Sequence, residues 1–283
     1  MTRRTRNLLL LAPAGTWFLV MLLLPLTVVL VFSFGERAPA GGVVPGFTFE
    51  QYANLPARWT AFKNTMTLAP VGTLASLLIA YPLAYFLAVK ADPKWKTILL
   101  VLVIVPFWTS ILIRSYAWIF ILGGRGLPAL LDWVGIDDVR LINTPFAVLV
   151  GIIYGYLPLM VFPIFVSLDR LDKRLLEASS DLGAKPWATF LQITLPLSIP
   201  GIATGCMLVF ILLMGEFLIP ALLGGGKVFF VGNALVDLFL QSRNWAYGSA
   251  VAVTLVVVML ITVTIYMRLI NRLGASREDV SIM

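Results

Sequence analysis

Two ionisable residues stand inside runs that are otherwise apolar, and they are the first places where this sequence could do chemistry. Arg114 lies in Ile113-Arg114-Ser115-Tyr116, and Glu216 in Met214-Gly215-Glu216-Phe217. A charge in hydrocarbon is costly unless it is paired or wetted. Two readings therefore stay open: the residues form an intramembrane pair that fixes helix packing, or Glu216 lines a translocation path and offers negative charge to a cation. Asp237, with Trp245 and Tyr247, is a candidate for substrate contact, because a carboxylate beside aromatic rings can hold an organic ammonium by ion pairing and cation–π contact. The same rings also suit a plain interfacial belt. The remaining chemistry is thin. There is no histidine and a single cysteine, Cys206, so imidazole acid–base catalysis, Cys/His metal sites and an intrachain disulfide are excluded, and no metal is expected. Gly224-Gly225-Gly226-Lys227 has the outline of a phosphate loop, but Ala221 stands where the first glycine belongs and Val228 replaces the hydroxyl that would hold magnesium. No nucleotide site or other cofactor is expected on this chain.

The elements that must position these residues are membrane spans. Of 283 residues 60% are hydrophobic and 12% are charged, against about a quarter charged in a soluble domain. The fold class is therefore an all-α integral membrane protein, with six transmembrane helices. The first is expected at about 8–34, after Arg3, Arg4 and Arg6, and it is too long for the core of a signal peptide. An external loop completes residues 1–60. The others are expected at about 61–89, 97–122, 144–168, 197–223 and 246–270, each long enough for the ~20 residues that cross a bilayer core. Residues 61–270 form one bundle, and 271–283 a tail. Gly215, Pro220 and Gly224-Gly225-Gly226 predict a broken or bent second half of the fifth span. Placing the N-terminus in the cytoplasm leaves thirteen Lys and Arg inside and seven outside, with Arg114 within a span. This favours both termini cytoplasmic in a multi-pass membrane protein. The net charge of +7 then needs no nucleic acid.

The longest water-compatible stretch between two strongly apolar runs is 169–196. Leu168, Leu171, Leu175, Ala178 and Leu182 recur at helical spacing. Gly183 suits a C′ position with positive φ, Pro186 the first turn of a second helix, and Thr194-Leu195-Pro196 closes the unit. This predicts a helix–turn–helix at the cytoplasmic membrane face, between the fourth and fifth spans, offered to a soluble partner.

Glu177-Ala178-Ser179, then Gly183, then Ile193 with Leu195-Pro196, resembles the EAA loop of binding-protein-dependent ABC importer permeases of type I. Ser179 departs from the alanine expected at the third position of the triplet. Residues 111–126, the run Gly215-Glu216-Phe217-Leu218-Ile219-Pro220 with Leu223-Gly224-Gly225, and Val231-Gly232-Asn233 are similar to the spermidine/putrescine class. The resemblance implies a permease subunit that forms the translocation path for a small solute, a polyamine in this class. It implies a cytoplasmic ABC ATPase dimer that carries the ATP and magnesium, a second and homologous permease subunit, and an external solute-binding protein. Within it, Glu177, Ala178, Ser179, Gly183, Leu195 and Pro196 couple the chain to the ATPase, and Leu175, Ala178 and Leu182 dock the loop or brace it against the bundle. The competing reading is an ion-gradient-coupled secondary transporter or channel working without an ATPase. An intramembrane enzyme lacks histidine, a metal set or an activated nucleophile.

Overall fold

Prolines and polar breaks decide where the apolar runs bend in this computed structural model, which describes residues 3–278. Residues 279–283 of the expected tail, and the side chains of Arg3, Arg4, Arg6, Lys173, Arg272 and Arg277 used in the orientation count, lie outside what is described. The first span is α1 (Arg3–Phe32), helical through Pro13 and Pro25. The loop after it pairs β1 (Glu36–Arg37) with β2 (Val43–Val44) antiparallel. It continues through α2 (Glu50–Ala53) and a 3-10 turn, Leu55–Arg58. The second span is α3 (Trp59–Tyr85), extended by a π turn at Phe86–Lys90.

The third span departs from the expected single helix. It begins earlier, as α4 (Pro93–Trp108), because the Asp92 carboxylate accepts from Lys94 N at 2.8 Å and Pro93 takes the first turn. It then stops, and α5 (Ile111–Leu122) with α6 (Leu127–Trp133) sets off at 91° to it. Pro106 withholds a donor from the last turn of α4, and Thr109 and Ser110 are extended, at ψ 150° and 131°. Among the described residues five helices are long and apolar enough to cross a membrane, or six when this bent pair is counted as one span.

The fourth span, α7 (Pro145–Asp169), follows its expected limits, capped by Thr144 Oγ1, which accepts from Ala147 N at 3.2 Å. Then come α8 (Lys173–Asp181) and α9 (Pro186–Thr189). A π turn, Phe190–Thr194, leads into α10 (Leu195–Met214) without a break. The expectation that Leu195-Pro196 closes the loop is thus corrected: helix runs from Pro186 to Met214. The π register is what permits it, since Leu195 N donates to Phe190 O and the missing donor of Pro196 is absorbed at the bulge. The fifth span does break as expected, between α10 and α11 (Leu218–Leu223). A further helix, α12 (Val231–Val236) with a π turn at Asp237–Gln241, precedes α13 (Trp245–Glu278), which stays helical through much of the expected tail.

The chain forms two compact units. One comprises the residues up to Trp59 with Ala234–Ile261; the other comprises Thr60–Asn233 with the end of α13 from Thr262. In the second, α7 and α10 make the most extensive helix contact. Gly201 and Gly205, one turn apart, admit it: a Cβ at 201 would stand 2.5 Å from Ser167 Cβ, and one at 205 would stand 3.1 Å from Met160 O. Small residues four apart allow this approach where lipid supplies no hydrophobic drive between helices. Met160, Ile164, Val209 and Leu213 fill the seam and are fully buried.

Candidate functional site

The loop 169–196 is closed at both ends by its own chemistry. Asp172 caps α8, its carboxylate accepting from Arg174 N at 3.0 Å. At the other end Gly183 N donates to Ser180 O (2.9 Å) and Ala184 N to Ser179 O (3.1 Å), with Gly183 at φ +74°. This is a Schellman closure, and it needs a left-handed residue. Pro186 opens α9 at its first turn. Ser179 is buried, and its hydroxyl shares a 2.8 Å hydrogen bond with Thr189 on α9. The departure from alanine at this position thus ties the two helices of the loop together. Trp187 stacks on Phe190, whose edge meets Tyr81 and Tyr85 of α3, so the second half of the loop is seated on the bundle. Lys96 pairs with Asp169 and lies over the Phe165 ring, 5.2 Å from its centroid.

The apolar face of α8 does not brace against the chain's own bundle. Leu175 is 45% exposed and Leu182 88% exposed, and Ala178 and Glu177 are exposed beside them. Leu195 and Pro196 are at the head of α10, beyond the π turn.

Glu216 occupies the break in the fifth span and is only 7% exposed. Its Oε1 accepts from three consecutive backbone N–H groups, Phe217 (3.0 Å), Leu218 (2.8 Å) and Ile219 (3.2 Å). Its Oε2 accepts from the Tyr156 hydroxyl of α7. The donors left open where α11 starts are thereby satisfied by a negative charge at the positive end of the helix. Asn233 closes the far side, with Nδ2 donating to Phe217 O (2.7 Å) and Oδ1 accepting from Phe230 N (3.1 Å). Thr65 of α3 accepts from Val231 N (2.9 Å), and Asn64 donates to Phe229 O (3.1 Å). A Cβ at Gly232 would come within 2.5 Å of Glu216 O. The two stretches Gly215–Pro220 and Val231–Asn233 are therefore parts of one polar knot.

Arg114 makes no ion pair with Glu216; the ion pairs among the described residues are Arg58–Asp237 and Lys96–Asp169. Its guanidinium carbon lies 5.9 Å from the Tyr154 ring, which meets Trp118 edge-on, and its Nε and Nη1 are buried with no hydrogen bond among the described residues. Asp237 is bound by Arg58 at 3.0 Å. The Tyr247 hydroxyl donates to Asn54 O (2.8 Å), and Trp245 Nε1 donates to Phe239 O (3.2 Å). The structure thus gives all three candidate contact residues partners within the chain. Tyr156, Thr65, Thr189 and Arg58 escape a reading of the sequence, since each matters through a partner remote along the chain, and Asn233 is singled out there only as part of the Val231-Gly232-Asn233 run. A polar residue inside an apolar run was the available signal, and it marks Tyr156 and Asn233.

An importer-like loop and a capped break in the span that follows it now stand in one chain, and comparison with known proteins decides the family. The model of the family described as binding-protein-dependent transport system inner membrane component matches residues 80–275. The chain belongs to this family. The permease is similar to the spermidine/putrescine transport system permease protein PotB of Salmonella typhimurium (strain SL1344), 39% identical over 99% of each chain. PotB of Haemophilus influenzae is 40% identical over 91% of the permease and 92% of that protein. Among solved structures, a bacterial ABC transporter involved in the import of the acidic polysaccharide alginate superposes with a TM-score of 0.77, covering 95% of the permease and 96% of that chain, at 21% identity. That likeness carries the fold alone. The permease is a multi-pass inner-membrane component of a binding-protein-dependent transport system.

Proposed function

We propose that the permease forms the translocation path of an ATP-driven importer for a polyamine such as spermidine or putrescine, with α8 as its coupling helix. The observation that carries the reading is the α8 face: a helix capped at both ends that leaves Leu175, Ala178 and Leu182 uncovered. The similarity to PotB along nearly the whole chain supports the polyamine. In this reading both termini and α8 are cytoplasmic, and ATP and magnesium are bound by a separate ATPase dimer on which the α8 face docks. A homologous second permease completes the path, and an external binding protein delivers the solute.

The linkage from ATPase to path runs through named bonds. Movement of α8 passes to α9 through the backbone closure at Gly183, Gly183 N to Ser180 O and Ala184 N to Ser179 O, to which the Ser179–Thr189 hydrogen bond adds. From there it enters the 29 helical residues Pro186–Met214, a rod of about 43 Å at 1.5 Å per residue. The rod ends at the Gly215 break, where Glu216 holds the start of α11. Glu216 acts in this scheme as the fixed end of a hinge; its four hydrogen bonds leave it little capacity to bind a passing cation.

The test is purification of the tagged permease from its native membrane in mild detergent, followed by reconstitution and polyamine uptake. Co-purification of an ATPase, a second permease and a binding protein, with ATP-dependent uptake of labelled spermidine or putrescine, is expected. Uptake by the permease alone in ATP-free vesicles would overturn the reading in favour of an ion-coupled carrier.

A further inference from the structure

The helix that enters the membrane first ends in a cluster of rings. The apolar run of α1 begins at Leu8 and reaches Phe32, about 25 residues. At 1.5 Å per residue these span about 37 Å, enough to cross a hydrocarbon core of about 30 Å with some tilt, which brings Phe32 to a headgroup layer. Directly beyond it, Phe34 stacks on Phe47 (centroids 5.2 Å apart) and meets Phe49 (5.5 Å) and Tyr52 (5.5 Å), while Phe47 meets Phe49 edge-on at 5.3 Å. The cluster is bolted to the end of the helix. The Tyr52 hydroxyl donates to Ser33 Oγ (2.7 Å), Ser33 Oγ donates back to Leu30 O (2.6 Å), and Thr48 N donates to Phe34 O (2.8 Å). Within this rigid unit Phe47 is 77% and Phe49 61% exposed. The exposed surface of α1 leads up to them through Leu30 and Val31, 47% and 61% exposed.

We propose that Phe34, Phe47, Phe49 and Tyr52 form an aromatic cap that seats in the lipid headgroup layer, with Phe47 and Phe49 entering the acyl boundary. Three observations select lipid as the occupant. The cap continues the exposed apolar surface of a span, and the length of that span brings it to the interface. Its residues are bulky and aromatic, and their one hydroxyl, on Tyr52, is satisfied within the chain by Ser33, so the rings bring no unpaired hydroxyl to the acyl boundary. Glu36 and Arg37, on the paired strand that follows α1, are exposed, as residues directed at water would be. The cap thereby fixes the depth of the outer end of α1.

The single cysteine allows a direct test. In a C206S background, a nitroxide is attached at position 47 (F47C) in the assembled transporter, held in nanodiscs of phosphatidylethanolamine and phosphatidylglycerol. Its collision rates with oxygen and with a water-soluble nickel chelate are compared with those of labels at Val31 (V31C) and Arg37 (R37C). The expected result is high oxygen and several-fold lower nickel accessibility at 47 relative to 37, approaching the label at 31, unchanged by the external binding protein. Nickel accessibility at 47 equal to that at 37 overturns the proposal. So does protection that arises only when the binding protein is added, which would make the rings a protein-docking surface. A label at Phe49 (F49C) answers the same question should the F47C chain fail to accumulate.

Discussion

Removing the acceptor at the break in the fifth span is the sharpest test of what Glu216 does. Glu216→Ala leaves the N–H groups of Phe217, Leu218 and Ile219 and the hydroxyl of Tyr156 without their acceptor. Each buried donor so stranded costs about 1–3 kcal/mol. Phe217 is 43% exposed and its N–H can be relieved by solvent, so the three remaining donors put the loss on the order of 3–9 kcal/mol. Glu216→Gln is different in kind. Its Oε1 still accepts the three backbone bonds, and Tyr156 can turn to accept from the new amide, so only the charge is lost, at about 1–2 kcal/mol. Tyr156→Phe removes one bond of the four and is expected to fall in the same range as the glutamine variant. The assay is thermal unfolding of the purified permease followed by tryptophan fluorescence, beside polyamine uptake in the reconstituted importer. An alanine variant as stable as the parent would refute the capping argument. A glutamine variant that folds like the parent but fails to transport would refute the hinge role and return Glu216 to the cargo path.

Further outcomes follow from the loop and the ion pairs. Ser179→Ala and Thr189→Ala should each destabilise the α8–α9 contact by about 1 kcal/mol, and the double variant should be no worse than either single one; additive losses would mean the two hydroxyls do not share a bond. Uptake by Ser179→Ala should persist, since the smaller side chain still fits. Gly183→Val forces a β-branched residue to φ +74°, at roughly 1–2 kcal/mol or more; it should leave membrane insertion intact while ATP hydrolysis proceeds with little uptake, and full uptake would sink the lever. Leu182→Lys, on the exposed α8 face, should lower co-purification of the ATPase without altering thermal stability. The Arg58–Asp237 pair is 27% and 32% exposed at its side chains, so a double-mutant cycle should give about 1 kcal/mol or less; a raised polyamine KM in Asp237→Asn alone would make Asp237 a substrate contact after all.

Much of this permease was legible because membranes impose simple arithmetic. Apolar run length predicts spans, and α1, α3, α7 and α13 lie close to where the sequence puts them. Local chemistry was equally readable: Gly183 and Pro186 mark the turn between α8 and α9, because positive φ and a missing N–H are properties of single residues. The break after α10 was legible from Gly215 and Pro220. Apolar length alone did not expose the bend between α4 and α5, because a run of hydrophobic residues reads the same whether straight or broken. Nor did Leu195-Pro196 end the loop, since a π turn absorbed the proline. What Glu216 binds was decided only in three dimensions. Its charge in an apolar run announced that a partner must exist, and Arg114 was the obvious candidate by charge. The partners are a tyrosine 60 residues away along the chain and three peptide groups beside it. Which of several satisfying arrangements a buried charge adopts depends on which donors packing brings within reach, and that is a property of the fold rather than of the residue.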